Sequence, residues 1–163
     1  MGHYDSPLGG MTMVSDGLSL TQLSFDRQPS VGAGPGGQEV RPLPVFDETR
    51  RWLDIYFGGK IPMFIPALSL HGTPFRKAVW ELLLTIPYGQ TMTYGEIAAR
   101  IARRRGMQRM SAQAVGGAVG NNPIAIIVPC HRVVGADGSL TGYAAGLDRK
   151  EWLLHLESEN HFS

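Results

Sequence analysis

Residues 126–134 read Ile-Ile-Val-Pro-Cys-His-Arg-Val-Val, an apolar run interrupted by three polar or reactive side chains. The β-branched residues on both sides of the interruption predict a buried strand or the end of one. Pro129 lacks a backbone N–H and biases Val128 towards extended geometry, so we expect the run to break there. The Cys130 thiol stands beside an imidazole and a guanidinium. Because a neighbouring base or cation favours the reactive thiolate, this arrangement suits nucleophilic chemistry.

Two questions about Cys130 stay open at the level of sequence. A single cysteine in an apolar run can be an inert core residue, although three clustered polar or reactive side chains fill a core poorly. The second question is geometric. If Cys130 and His131 are both extended, their side chains point to opposite faces and cannot hydrogen-bond directly. Either the backbone turns here, or His131 reaches the thiol through a water molecule.

The composition is that of an ordinary globular protein. Hydrophobic residues make up 43% and charged residues 18% of the 163-residue chain, which argues against fibrous and disordered classes. One cysteine excludes an internal disulfide framework and a cysteine-rich zinc site. No apolar stretch is long enough to span a bilayer and no signal-peptide pattern is present, so we expect a cytoplasmic protein without a membrane partner.

The sequence predicts two domains with different charge. Residues 1–72 carry five basic and seven acidic residues, a net charge of −2, whereas residues 73–163 carry ten and seven, a net charge of +3. A mildly basic C-terminal domain permits a nucleic-acid partner. Within the N-terminal domain, residues 28–44 are rich in proline and glycine and predict a flexible loop, and residues 60–72 predict an extended linker. Short antiparallel strands are predicted at residues 3–10, 11–14 and 18–25.

Helices are predicted from capping residues and apolar spacing. Asp47, Thr73, Thr93 and Ser111 are expected to cap helices that end near Phe57, Ile86, Ala102 and Val119. A final helix should open at Leu147 or Asp148 and turn Trp152, Leu153 and Leu156 inward. The two helices after Thr93 and Ser111 suggest a helix-turn-helix. The glycines Gly116 and Gly117 are costly in a helix interior, so they need either tight packing or the close approach of a nucleic-acid backbone.

Several motifs give the chain a resemblance to a known family. The pentapeptide Pro129-Cys130-His131-Arg132-Val133 and its flanks closely resemble the O6-alkylguanine-DNA alkyltransferases, also called methylated-DNA–protein-cysteine methyltransferases. The flanking motifs are Thr73-Pro74-Phe75, Tyr94-Gly95, Ala114-Val115-Gly116-Gly117-Ala118, Gly142-Tyr143 and Lys150-Glu151-Trp152-Leu153-Leu154. The resemblance covers residues 73–157. It implies an α+β fold, with a small N-terminal antiparallel-sheet domain and a C-terminal helical domain that carries the helix-turn-helix and the active-site cysteine.

The resemblance implies a single-turnover repair reaction and assigns its catalytic residues. Cys130 would attack the alkyl carbon on O6 of guanine and keep the alkyl group as a thioether. His131 would take the thiol proton through a water molecule, and Glu157 would orient the imidazole. O4-alkylthymine stays open as a second substrate. The implied partner is double-stranded DNA bound through its minor groove by a monomer, with the damaged nucleotide flipped out.

Further residues are assigned by the same resemblance. Tyr94, the backbone carbonyls of Cys130 and Val133, and the loop around Tyr143, Ala144 and Ala145 would contact the flipped base. Asn122 would tie the DNA-binding helices to the segment that carries the active site. DNA contacts are expected from Thr93, Ser111, Gln113, Ala114, Gly116, Gly117 and Arg132. No cofactor and no metal site are implied, since the cysteine that a zinc site of some members would need is already the nucleophile.

The sequence departs from the family pattern at two points. Gln113 stands where the family usually has an arginine that fills the gap left by the flipped base. Glutamine can occupy that gap but lacks the charge and the stacking plane. The loop before the second helix is also longer than usual and basic, and it could supply phosphate contacts in compensation. Its arginines, with those of the preceding helix, are Arg100, Arg103, Arg104, Arg105 and Arg109.

Two other functional classes remain as alternatives. A non-catalytic alkyltransferase-like protein would bind the lesion and recruit other factors, but such proteins lack the acceptor cysteine that Cys130 supplies here. A helix-turn-helix regulator would explain residues 93–119 but would leave the Pro-Cys-His-Arg-Val motif and Glu157 without a role.

Overall fold

The computed structural model describes residues 1–26, 43–106, 110–136 and 146–160. The chain divides into two compact units, the first made of residues 1–71 with Pro123–Ala125 and the second of residues 72–122 and 126–163. The sequence suggested a boundary after residue 72, and it gave no sign that Pro123–Ala125 belongs to the first unit.

A three-stranded antiparallel sheet forms the centre of the first unit, in the order β1 (Gly2–Ser6), β2 (Gly9–Ser15) and β3 (Leu20–Phe25). A turn at Ser15-Asp16-Gly17 joins the last two strands. There the Asp16 side chain accepts hydrogen bonds from the backbone N–H groups of Leu18 and Ser19, and Gly17 has a φ of 107°, which suits a residue without a Cβ. The predicted small antiparallel sheet is therefore confirmed.

The segment Pro123–Ala125 extends this sheet beside β3. The Leu23 N–H donates to the Pro123 carbonyl at 2.9 Å, and the Ala125 N–H donates to the Leu23 carbonyl at the same distance. The resulting contact is a parallel bridge between Leu23 and Ile124. Because such a bridge depends on which distant residues meet, hydrophobic pattern alone could not reveal it.

Helix α1 (Pro44–Phe57) begins four residues before the predicted start. Asp47 is not the N-cap; that position is Leu43, and Pro44 takes the first helical position, where its fixed φ and missing N–H carry no penalty. Asp47 instead lies in the first turn and pairs with Arg50 at 3.1 Å. The predicted end near Phe57 is confirmed.

The second unit contains four helices in the part of it that is described, and two short strands. The helices are α2 (Pro74–Leu83), α3 (Tyr94–Arg104), α4 (Ala112–Gly120) and α5 (Leu147–Asn160). Strands β4 (Met92–Thr93) and β5 (Val133–Val134) pair in parallel, so the residues just before α3 lie beside the residues just after Arg132. This pairing brings the start of α3, the first helix of the predicted helix-turn-helix, next to the end of the Pro-Cys-His-Arg-Val motif.

The three caps predicted for α2, α3 and α4 are confirmed. The Thr73, Thr93 and Ser111 side-chain oxygens accept hydrogen bonds from backbone N–H groups of the first helical turns. Each bond satisfies a donor that the helix itself leaves without a partner. Trp80 of α2 is buried and its Nε1–H donates to the Ala118 carbonyl at 2.8 Å, which joins α2 to α4.

Two helix predictions need correction. Helix α2 ends at Leu83 and not near Ile86, because the Thr85 N–H and hydroxyl both bond to the Leu82 carbonyl and close a tighter turn. In α5, Leu153 is buried as expected, but Trp152 is exposed. None of the helices in the described ranges is long and apolar enough to cross a membrane.

Candidate active site

The segment that carries Cys130 is a turn that leads into strand β5, so the predicted break at Pro129 is present, but residues 126–128 do not form the predicted strand. After Pro129 the backbone enters a single turn of 3₁₀ helix, Cys130–Arg132, in which the Arg132 N–H donates to the Pro129 carbonyl. Ile126, at the start of the segment, has a φ of 67°, a strained conformation for a β-branched residue. The apolar, β-branched composition predicted an extended chain, but the turn's hydrogen bonds and the burial of the whole segment override that preference.

This turn answers the geometric question left open by the sequence. Cys130 and His131 are consecutive residues of a helical turn, so their side chains are not forced to opposite faces as they would be in a strand. The turn is closed by the Val133 N–H, which donates to the Cys130 carbonyl. The nucleophile candidate therefore has a backbone fixed on both sides.

Cys130 is only 6% exposed, and its environment disfavours the thiolate that the sequence suggested. Burial raises the pKa of the Cys130 thiol to about 11, against the opposing effects of a hydrogen bond with Asn122 and the positive charge of Lys150. The resting group at neutral pH is therefore a protonated thiol. A base must remove its proton when the sulfur reacts.

Such a base lies next in the sequence. His131 and Glu157 are fully buried, and His131 Nε2 lies 2.6 Å from Glu157 Oε2. Burial lowers the pKa of His131, and the charges of Arg132 and Lys150 act in the same direction, so these effects outweigh Glu157 and leave the imidazole neutral. Since an ionised carboxylate only accepts, Nε2 carries the proton that Glu157 binds, and Nδ1 is the basic nitrogen.

Arg132 does not occupy the DNA-contacting position expected for it. Its side chain is buried against Glu157, with Nε donating to Oε1 at 2.8 Å and Nη2 donating to Oε2 at 3.1 Å. Its remaining nitrogen, Nη1, donates to the Ile86 carbonyl at 2.7 Å. The guanidinium is thus engaged inside the unit, because the planar fork of arginine matches a carboxylate at two points. The structure makes Arg132 part of the Glu157 network.

Glu157 is the centre of this network. Besides His131 and Arg132, it accepts a hydrogen bond from the Gly89 N–H at 3.0 Å. Burial by itself would raise the pKa of Glu157, but its hydrogen bonds with His131 and Arg132 and the positive charge of Arg132 hold that pKa well below its usual range. The carboxylate is therefore ionised and oriented. Gly89, with a φ of 81°, is not among the residues that the sequence assigned to the site.

Asn122 connects the end of α4 to the cysteine turn. Its Nδ2 donates to the Val128 carbonyl at 2.8 Å, and the side chain also hydrogen-bonds with Cys130. These contacts link Asn122, which follows α4, to the segment that carries Cys130, and the expected role of Asn122 at a DNA-binding site stays a prediction.

Lys150 is a second residue of the site to which the sequence reasoning gave no role. It is completely buried, and its Nζ donates to the Val133 carbonyl at 2.5 Å. Among the side chains of α5 whose burial is described, Lys150, Leu153 and Glu157 are the buried ones, and they recur at helical spacing. A lysine and a glutamate two turns apart on the buried face of a helix are a signal that could have identified both residues.

The outer surface of α4 is made of small and polar residues. Gln113, Ala114 and Gly117 are exposed, whereas Val115, Ala118 and Val119 are buried. A Cβ built on Gly117 would meet nothing within 4 Å, and one built on Gly116 would only touch the Tyr94 ring at 3.9 Å. Tight internal packing therefore does not explain these glycines.

The remaining predicted site residues have the following positions. Tyr94 opens α3 and is partly exposed, while the Thr93 and Ser111 oxygens serve as caps. The arginines Arg100, Arg103, Arg104 and Arg105 are all exposed at the end of α3 and just after it. The Cζ of Arg105 also lies over the Phe75 ring, 5.9 Å from the ring centroid. Tyr143, Ala144, Ala145 and Arg109 lie outside the described residues.

Comparisons with known proteins agree on one family. The family described as 6-O-methylguanine DNA methyltransferase, DNA binding domain, matches residues 74–159. A methylated-DNA–protein-cysteine methyltransferase of Haemophilus influenzae is 43% identical over 157 residues, covering 95% of this chain and 84% of the relative. Its counterpart in Mycobacterium tuberculosis is 47% identical over 159 residues, covering 95% and 92%.

Solved structures give the same result for the fold. The crystal structure of Mycobacterium tuberculosis OGT in complex with DNA matches with a TM-score of 0.81 and 45% identity, covering 97% of this chain and 92% of that one. An O6-methylguanine DNA methyltransferase from Methanococcus jannaschii matches with a TM-score of 0.66 and 28% identity, covering 97% and 90%. With sequence and fold in agreement over nearly the whole length, this chain belongs to the methylated-DNA–protein-cysteine methyltransferase family.

Proposed function

We propose that the protein repairs O6-alkylguanine in double-stranded DNA by transferring the alkyl group to Sγ of its own Cys130. The observation that carries this proposal is the buried network in which the residue after Cys130, His131, contacts Glu157 at 2.6 Å while Arg132 pairs with the same carboxylate. It supplies a nucleophile, a base and an orienting group, which is the arrangement required for covalent catalysis by a weakly acidic nucleophile.

The proposed reaction is an in-line displacement at the alkyl carbon. His131 takes the thiol proton through a bridging water molecule, and the proton enters at Nδ1 because Nε2 is held by Glu157. The S–C bond forms while the C–O6 bond breaks, and the electron pair of the broken bond stays on guanine. Guanine gains one proton for the one that the thiol loses. No group in this scheme regenerates the thiol, so each molecule reacts once.

The burial of the site explains why a general base is needed. With its pKa raised to about 11, the thiol is almost entirely protonated at neutral pH, and the neutral imidazole of His131 is in the form that accepts a proton. The ionised Glu157 stabilises the imidazolium that then forms. The low exposure of Cys130 also limits its reaction with other electrophiles.

The flipped guanine would be bound by groups around the cysteine turn. Tyr94 would donate to the flipped guanine, and the carbonyls of Cys130 and Val133 would accept from its amino group. The Val133 carbonyl already accepts from Lys150, and a carbonyl oxygen has a second lone pair for the base. Tyr143 and Ala144 would close over the base from the loop outside the described residues.

The duplex would be bound by the exposed surface of α4. Enzymes that act on a base inside a duplex must extrude it, and the small side chains around Gly117 would let the helix backbone approach the minor groove. Gln113, on the same surface, would fill the space that the flipped nucleotide leaves. The exposed arginines at the end of α3 would contact phosphates. A match to a structure solved with DNA supports this assignment.

The Gly117→Ala variant tests the role of this surface, because we expect stability and DNA binding to change in opposite directions. Alanine should stabilise α4 by about 0.5–1 kcal/mol, since it has the higher helix propensity and the added Cβ meets open space. The same methyl group should weaken duplex binding about tenfold by holding the helix away from the DNA. Thermal unfolding and titration of a labelled duplex measure the two effects. A variant that is stabilised but binds DNA as well as the parent would contradict the assignment.

Intact-mass measurement tests the proposed reaction itself. After incubation with duplex DNA that contains O6-methylguanine, the protein should carry one methyl group per molecule in place of the thiol hydrogen, a net mass gain of CH2, and peptide mapping should locate it on Cys130. A second portion of substrate should cause no further gain, since the thiol is consumed. Binding to the damaged duplex without any gain in mass would instead indicate a lesion-binding protein without transferase activity.

A further inference from the structure

Lys150 is a charged residue in the interior that the proposed reaction does not yet use. It lies in the first turn of α5 with no exposed surface, and its Nζ donates to the Val133 carbonyl at 2.5 Å. Lysine is almost never fully buried, because removing an ammonium group from water costs several kcal/mol unless the site compensates for it. The attachment of α5 to Val133 through one hydrogen bond therefore does not explain by itself why a cation lies at this buried position.

The contact with Val133 connects Lys150 to the nucleophile through two hydrogen bonds. The Val133 carbonyl accepts from Lys150, and the N–H of the same residue donates to the Cys130 carbonyl. The ammonium group is thus fixed at the end of the turn that carries the reactive sulfur. Val133 also pairs with Met92 in the parallel β4–β5 ladder, which limits how far this end of the turn can move.

The other charges around Cys130 indicate which electrostatic effect the Lys150 ammonium group has on the thiol. His131 is neutral, and the charge of Arg132 is matched by Glu157 at two points. The charge of Lys150 opposes the increase in the pKa of Cys130 that burial causes. Burial lowers the pKa of Lys150 itself, and a negative Cys130 opposes that shift and favours the charged form of the lysine. In a buried site such a charge acts with little screening by solvent.

We propose that Lys150 is a positioning residue for the transfer, one that fixes the turn around Cys130 through the Val133 carbonyl and holds positive charge beside the sulfur as its proton leaves. The inference rests on the proposed function, because alkyl transfer is the step that the charge would assist. The effect of the charge on the acidity of Cys130 does not depend on DNA, because the charge acts on the sulfur whether or not a damaged base is present.

The acidity of Cys130 tests this inference without any DNA. Because the chain has one cysteine, the ultraviolet absorbance of the thiolate, with Cys130→Ser as the blank, reports on this residue alone. We expect Lys150→Met to raise the midpoint of the titration by about one pH unit. Below the midpoint, alkylation of Cys130 by iodoacetamide should then be about tenfold slower at any given pH. Lys150→Arg keeps the charge and should restore most of both properties.

The controls separate charge from packing. Lys77→Met removes an exposed lysine of α2 in the same unit and should leave the midpoint unchanged. Should Lys150→Met fail to fold, Lys150→Gln gives the same comparison, because the amide can still donate to Val133 without the charge. If neutral residues at position 150 leave the titration midpoint where it is in the parent protein, the inference is overturned. That outcome would not affect methyl transfer from DNA, which is measured separately.

Discussion

Cys130→Ser is expected to abolish alkyl transfer while the protein remains folded. The serine hydroxyl is a far weaker nucleophile than a thiol, and loss of the nucleophile in covalent catalysis typically lowers the rate by at least about four orders of magnitude. The substitution changes a buried side chain of nearly the same size, so we expect little change in stability at neutral pH. Intact mass after exposure to methylated duplex DNA measures the transfer. A serine variant that still gains a methyl group would remove Cys130 from its proposed role.

The same variant should reveal the raised pKa of Cys130 as a difference in stability at high pH. The folded protein binds the thiol proton more tightly than the unfolded chain does, with a pKa of about 11 against the ordinary 9.0. The stabilisation is therefore fully present below pH 9 and is lost as the pH rises towards 11. Relative to Cys130→Ser, the parent protein should lose about 1.4 kcal/mol in free energy of unfolding between about pH 7 and pH 10.

Urea denaturation of both proteins at several pH values measures this difference. Because every other titrating group is common to the two proteins, their effects cancel in the comparison. Parallel curves of stability against pH would show that the thiol titrates in the folded protein as it does in the unfolded chain. In that case the argument that the thiol needs His131 as a general base would fail, because that argument depends on the raised pKa of Cys130.

Glu157→Ala is expected to cause the largest loss of stability of any single substitution in the site, about 3–5 kcal/mol. It leaves the Arg132 guanidinium buried without its carboxylate, and it removes the acceptor for the Gly89 N–H and for His131 Nε2. Transfer should slow by at least about a hundredfold, because the imidazole then loses its orientation and the charge that stabilises its protonated form. Chemical denaturation and single-turnover kinetics measure the two effects.

Two further variants make this prediction specific. Glu157→Gln keeps the size and an acceptor oxygen but not the charge, so it should retain more stability than alanine while transfer stays slow. Glu159→Ala is the matched control, because Glu159 is exposed on the same helix and pairs with His155 at 3.0 Å. Exposed ion pairs contribute about 0–1 kcal/mol. Equal effects at positions 157 and 159 would contradict a central role for the buried carboxylate.

Local rules of sequence accounted for many of the elements around the site. Thr73, Thr93 and Ser111 were predicted as helix caps and have that role, because a cap depends on a side chain and an N–H only two or three residues away. The small antiparallel sheet was predicted for a similar reason, since its strands follow one another with short turns. Where a local rule failed, as at Asp47, a second local signal at Pro44 was the stronger one.

The errors share a different cause. Arg132 was expected at the DNA and is instead paired with Glu157, a residue 25 positions later in the chain. Residues 126–129 were expected to be extended and form a turn that begins with Ile126 in the left-handed region. Trp152 was expected inside, but Lys150 and Glu157 share the buried face of α5 with Leu153. In each case, contacts with distant residues outweighed the preference of the residue itself.

The sequence by itself determined the family, the position of the candidate nucleophile and the order of helices, because these depend on residue types at short, fixed spacings. Only the tertiary structure decided how the charges inside the second unit are matched: Arg132 with Glu157, and Lys150 with the Val133 carbonyl. The energy of a buried charge depends on which groups surround it in space and on the exclusion of water. Those neighbours come from α5 and from the turn at Cys130, and only folding brings them together.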